Sequence, residues 1–174
     1  MRRIATFLAL FVLLALPARA QEAPAYRDSL LERLVGRWVL RGTIAEGQTT
    51  HDVTAEWVLG HQYVRLAEVS REKDARGRPA YEAIVFIGAD PDGDGYACLW
   101  LDSTGGGGLK GEALGHAPHA RDSLAFVFKS PDGSRFHTTF VHRAGSDSWR
   151  WRMDAEAGGT LQPFARVTLT RRRT

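Results

Sequence analysis

Leu30-Leu31-Glu32-Arg33-Leu34-Val35-Gly36-Arg37-Trp38-Val39-Leu40-Arg41-Gly42-Thr43-Ile44 is where the apolar spacing changes period, and that change decides the fold. Before Gly36, the residues Leu30, Leu31, Leu34 and Val35 form one stripe at helical spacing, and Arg27, Asp28, Glu32 and Arg33 lie mostly off it. The spacing predicts a short helix over 26–35, ended by Gly36 in the manner of a C-cap. From Trp38 onward the period is two.

Alternating segments follow over 38–44, 51–59, 63–72, 80–88, 96–103, 109–114, 123–130, 134–143, 148–154 and 161–171. Between them lie turn signals: Gly60-His61, the charged run 73–79, Asp90-Pro91-Asp92-Gly93-Asp94-Gly95, the glycines 105–108, the loop 115–122 and Pro131-Asp132-Gly133. Strands at about ten-residue spacing indicate an all-β barrel or sandwich. Sequential hairpins favour an up-and-down meander, which removes its edges by closing on itself. The expected fold is a single up-and-down antiparallel β-barrel of about 8–10 strands behind a short N-terminal helix.

The first twenty residues read as a targeting segment. Arg2 and Arg3 open it, an apolar run fills 4–16, Pro17 breaks the run, and Ala18-Arg19-Ala20 is a small-x-small cleavage site. The run is shorter than the roughly 20 residues a spanning helix needs. The expected organisation is a signal peptide over 1–20 and one barrel domain over 21–174. The product would be exported to the periplasm or secreted, with no stable membrane insertion after cleavage. The whole chain carries 23 Lys and Arg against 20 Asp and Glu. Arg2, Arg3 and Arg19 leave with the signal and no acid does, so the mature chain is near neutral. That balance gives no electrostatic case for nucleic-acid binding. Arg171-Arg172-Arg173 reads as a solvated tail, with membrane or polyanion contact as the alternative. Cys98 is the single cysteine, so no internal disulfide forms, and its register with Tyr96 and Trp100 marks it as a small buried hydrophobe.

Leu34-x-Gly36-x-Trp38 at the first strand resembles the start of a calycin barrel. Gly60-His61-Gln62-Tyr63-Val64, followed by Tyr81-Glu82-Ala83 and Asp102-Ser103, resembles a bacterial domain-of-unknown-function family of exported, lipocalin-like proteins. That family is distantly similar to the nitrobindin-like haem-binding barrels. The resemblance implies a barrel with an internal pocket and transfers no catalytic set. Its haem-binding relatives hold iron through a histidine close to the C-terminus. Here the last histidine is His142 and 161–171 contains none, so haem is not carried over.

Three polar groupings can be weighed as chemistry. Asp90, Asp92, Asp94 and Gly95 match the start of a calcium loop, but the twelfth position is Leu101 where a bidentate Glu belongs. An ordinary turn is the expectation, without calcium. His116 and His119, with Asp122, are spaced to share a metal, but Pro118 argues against a helix aligning them, and a solvated loop is expected. His137 and His142 are an odd number apart on one strand, so they face opposite sides. No metal site and no cofactor are expected. There is no Gly-x-Ser-x-Gly elbow, no His-Glu-x-x-His motif and no phosphate loop.

The remaining candidates come from face parity. Trp38, Trp57, Trp100, Phe126, Phe128, Phe140, Trp149 and Trp151 recur at period two, as packed core or as the wall of an aromatic cavity. Glu68 shares a face with Val64 and Leu66, His142 with Phe136 and Phe140, and Arg166 with Phe164. A buried carboxylate must be paired or neutralised, so Glu68 beside an inward arginine could hold a ligand's polar end or be a structural ion pair. The residues expected to line a ligand site are Trp38, Trp57, Glu68, Tyr81, Trp100, Phe140, His142 and Arg166. The function expected is binding of a small apolar ligand inside the barrel, without catalysis. The alternatives are a filled structural or interaction barrel and a weak hydrolase or isomerase using Glu68 or His142.

Overall fold

A computed structural model describes residues 24–105 and 108–172, and the expected signal segment lies outside the described residues. The helix α1 covers Ser29–Leu34, and ten strands follow. They are β1 (Gly36–Ile44), β2 (Gly47–Val58), β3 (Tyr63–Ser70), β4 (Glu82–Ala89), β5 (Gly95–Asp102), β6 (Leu114–Pro118), β7 (Ser123–Lys129), β8 (Arg135–Arg143), β9 (Ser148–Ala157) and β10 (Thr160–Arg171). Every strand pairs antiparallel with its sequence neighbour, and β1 pairs with β10 to close the barrel. Closure leaves no unpaired sheet edge, as the meander of hairpins requires.

The helix is shorter than the period suggested. Asp28 stays extended, and its Oδ1 accepts hydrogen bonds from the Leu30 and Leu31 N–H groups at 2.8 Å each. It is the N-cap, so the helix starts after it. Gly36 is not the C-cap, a correction to the sequence expectation. Val35 ends the helix in an extended conformation, and Gly36 opens β1 with φ +139°. A Cβ on Gly36 would overlap the Arg171 guanidinium, so glycine serves a close approach there rather than a helix stop. Leu30, Leu31 and Leu34 are buried, and they close one end of the barrel over Trp38. That end is called the helix end below, and the opposite one the far end.

Two further expectations are corrected. The sixth strand, β6, runs through 115–118 where a loop is expected, and 111–113, inside the expected strand 109–114, form a 3-10 turn. Arg171 is not tail: it ends β10, donates to the Val35 and Arg33 carbonyls, pairs with Asp147 and lies 4.1 Å over the Trp38 ring. It clamps the last strand to the helix.

The eight large aromatics all fall on inner-face positions. Trp38, Trp149, Trp151, Tyr96, Phe126 and Phe140 are almost completely buried and fill much of the interior. Phe140 stacks on Trp151 with centroids 4.5 Å apart, and Trp151 meets Trp100 at 5.5 Å. Burial of each such ring contributes roughly 1.5–3 kcal/mol, which supplies stability where no disulfide does.

Candidate functional site

The far end gathers inner-face polar residues from adjacent strands. On β2, Thr49 and His51 follow the parity that continues to Val53 and Ala55. On β3, Glu68 and Ser70 continue the parity of Val64 and Leu66. Register sets His51 opposite Ser70 and Val53 opposite Glu68, so His51 and Glu68 are diagonal neighbours. His51 Nδ1 hydrogen-bonds Glu68 Oε1, and both residues are buried, at 3% and 1% exposure. Burial pushes the Glu68 carboxyl above its ordinary range, against the opposing pull of the His51 contact. Its second oxygen, Oε2, is buried and meets no polar partner. Leaving such a group unpaired costs about 1–3 kcal/mol.

Aromatic and acidic groups complete this end. The Tyr81 ring stacks on His51 at 5.8 Å, and its hydroxyl donates to Asp102 Oδ2 at 3.4 Å while accepting from Trp100 Nε1 at 3.3 Å. Burial, with the charges of Glu68 and Asp102, raises the Tyr81 phenol, so it stays a neutral donor. Ser70 Oγ accepts from the Tyr81 N–H at 3.0 Å and fixes the entry into β4. On the other side, Trp151 Nε1 reaches the buried Thr138 hydroxyl at 3.4 Å. Chemically the cluster offers a carboxyl with a spare oxygen, an imidazole, a phenol and two indoles.

Of the expected site residues, Glu68, Tyr81 and Trp100 come together at the far end, and Phe140 joins them through Trp151. Trp38 and Trp57 face inward but belong to the helix end. Trp38 Nε1 donates to the Leu34 carbonyl at 2.8 Å. Trp57 Nε1 donates to Glu32 at 2.9 Å, and its ring stacks on His61 at 4.0 Å. His142 is also on that side, tilted against Trp149, and neither of its buried ring nitrogens has a hydrogen-bond partner.

Arg166 is a correction. It lies on the outer wall, paired with Asp154 and donating to the Met153 carbonyl. A bulge between Pro163 and Ala165 adds one residue to β10, so parity counted through Phe164 does not carry to Arg166. Phe164 instead meets the inner-face ring of Phe136 at 5.5 Å. Among the described residues no inward arginine answers Glu68; His51 does.

The turn and histidine groupings are also placed. Asp90 accepts from the Asp92 N–H at 3.0 Å and contacts His116 Nδ1 at 2.7 Å, while Asp94 lies 3.5 Å from His119. His116 sits on β6 facing outward, not in a loop. His137 faces outward to Glu156 at 2.6 Å, opposite in sense to His142. Among the described residues, no three His, Cys, Asp or Glu side chains converge as metal ligands. The Cys98 thiol is buried, which pushes its proton affinity up.

Depressions in the surface lie away from the Glu68 cluster. One, of about 600 Å³, lies on the outer wall between Leu114, His116, Val127, Lys129, Arg135 and His137. Another, of about 690 Å³, lies by the β8–β9 turn and includes His142, Ser146 and Ser148. Neither includes Glu68, Tyr81 or Trp100.

Sequence reasoning missed Thr49, His51, Ser70, Glu72, Asp102 and Thr138. The one signal that could have found His51 is parity, since it alternates with Val53 and Ala55; the strand register that joins it to Glu68 is not in the pattern. Compared with protein-family models and with curated proteins, the chain matches none. The closed, antiparallel ten-stranded barrel is compatible with a lipocalin-like or calycin-like fold.

Proposed function

We propose that this protein is an exported binding barrel of the lipocalin-like kind, acting in the periplasm or outside the cell and without catalysis of its ligand. The ligand is a small, mostly apolar molecule carrying one hydrogen-bond donor. It sits at the far end against Tyr81, Trp100 and Trp151, with its donor on Glu68 Oε2. The observation that carries this reading is that oxygen: buried, unpartnered and on a carboxyl joined through His51 to the Tyr81 ring. A donor from a ligand removes the cost of the unpaired group, and the rings supply apolar contact. The Gly36-Arg37-Trp38 entry and the Tyr81-Glu82-Ala83 and Asp102-Ser103 segments, which resemble the exported family, point the same way.

A filled barrel that meets a partner without a ligand is the second reading. The packing of Trp38, Tyr96, Phe126, Phe140, Trp149 and Trp151 favours it. Native mass spectrometry of the exported protein, followed by titration with an apolar amine read by tryptophan emission, separates the two. A retained molecule, or an emission change lost in Trp100→Ala and Glu68→Gln with the fold intact, supports the binding barrel. A bare mass and an unchanged emission support the filled one.

A further inference from the structure

Thr49 stands two residues before His51 on the inner face of β2, and its Oγ1 is 2.7 Å from His51 Nε2. The other ring nitrogen, Nδ1, meets Glu68 Oε1. A hydroxyl on one imidazole nitrogen and a buried carboxyl on the other is the connectivity by which acyl-transfer sites activate a nucleophile. Strand geometry explains the arrangement: residues two apart project side by side, and the neighbouring strand supplies the third group.

A carboxyl group already occupies the place where an ester would react. The carboxylate of exposed Glu72 accepts from Thr49 Oγ1 at 2.9 Å through one oxygen and from the Thr50 N–H at 2.9 Å through the other. An N–H on the residue after the nucleophile is where an oxyanion donor is wanted. The contact also controls the hydroxyl. Thr49 has one proton, and while that proton goes to Glu72 it cannot go to His51. His51 Nε2 must then donate to Oγ1 and is not free to act as a base.

We propose that Thr49, His51 and Glu68 form an acyl-transfer site for small carboxylic esters, held shut by the Glu72 carboxylate. With Glu72 swung away, His51 Nε2 gives up its proton to solvent and the imidazole keeps one on Nδ1 toward Glu68; Thr49 Oγ1 then bonds to the ester carbonyl carbon and its proton passes to the freed Nε2. The carbonyl electron pair moves to oxygen, which the Thr50 N–H stabilises. The carbonyl re-forms, the C–O bond to the alcohol breaks, and the alcohol leaves with the proton from His51. Water then adds to the acyl carbon and gives a proton to His51. The acid departs, and Thr49 Oγ1 recovers its proton. Nothing is oxidised or reduced. Glu68 touches no reacting atom; it is a positioning residue that holds the imidazole through Nδ1.

The test uses the full chain with p-nitrophenyl acetate as probe, following nitrophenolate release and acetyl transfer to the Thr49 peptide by mass spectrometry. Glu72→Ala should release nitrophenol at least about tenfold faster than wild type and label Thr49. Adding Thr49→Val or His51→Gln should return the rate to that of wild type. Glu68→Gln in the Glu72→Ala background should move the pH at which the rate is half-maximal, which a packing role alone does not do. If Glu72→Ala does not fold, Glu72→Ser carries the same expectation, because its side chain is too short to reach Thr49 Oγ1 or to fill the ester's place. A folded Glu72 variant no faster than wild type overturns the proposal, and so does acceleration that survives Thr49→Val.

Discussion

His51 and Glu68 lie diagonally across two paired strands inside the barrel, joined by one oxygen of the carboxyl while the other is left without a partner. Burial raises the proton affinity of Glu68 in the fold. Its protonated form is therefore favoured by folding, and that contribution is full below the ordinary value of 4.5 and is lost as pH rises through the raised one. Glu68→Gln imitates the protonated form at every pH. The melting temperatures of wild type and Glu68→Gln should nearly coincide at about pH 4, with the variant rising above wild type toward about pH 8. A wild type that stays more stable at neutral pH would show that the pair is ionic and net stabilising.

Arg171 and Gly36 should couple. Gly36→Ala places a methyl against the Arg171 guanidinium at a positive φ, and the expected loss is about 1–3 kcal/mol or more. Arg171→Ala loses the helix clamp but relieves that overlap. Urea denaturation of the two single variants and the double should give a sum larger than the double-variant loss; strict additivity would mean the guanidinium moves aside without cost.

Asp28 serves two elements, capping α1 through Oδ1 and accepting from the Tyr96 hydroxyl at 2.8 Å through Oδ2. Asp28→Ala should cost about 2 kcal/mol or more, since it removes a cap and strands a phenol. Tyr96→Phe should recover part of that loss in the double variant. Thermal denaturation decides, and a loss within a few tenths of a kcal/mol would show the helix to be dispensable for closure.

His142 carries the opposite expectation. Its side chain is 7% exposed and neither nitrogen makes a hydrogen bond, with Asp147 3.9 Å from Nε2 at the edge of ion-pair reach, so the fold gains little from their polarity. His142→Phe should leave stability unchanged or raise it by about 1 kcal/mol. A loss above that size in chemical denaturation would mean that the imidazole holds something in solution.

Phe140→Ala should cost about 3–5 kcal/mol, because it empties the stack on Trp151 in the middle of the barrel interior. The same variant reports on the far end, since Trp100 rests on Trp151. A small loss by denaturant titration would show the barrel interior to be looser than its burial suggests.

The candidate site was partly legible. Glu68 and Trp100 stood out because a charged or large residue on an apolar parity breaks a local pattern, and local pattern is what a strand writes into sequence. Tyr81 entered by resemblance. Arg166 misled, because one extra residue at Pro163–Ala165 reverses parity without a mark in the alternation. Leu114 to Pro118 misled differently: Gly115 and Pro118 read as loop residues. Gly115 is needed because Phe128 packs where a side chain would be, and Pro118 sits at the end of its strand.

The chain by itself determined the class of fold: a change from helical to twofold spacing at Gly36, turn residues about every ten positions, and aromatics kept on one face. These are properties of neighbouring residues, so the sequence states them directly. Only the tertiary structure decided which inward groups meet. The meeting of Thr49, His51, Glu68 and Glu72, and the clamp of Arg171 on Trp38, depend on strand register and ring closure, which are set by packing across the whole barrel.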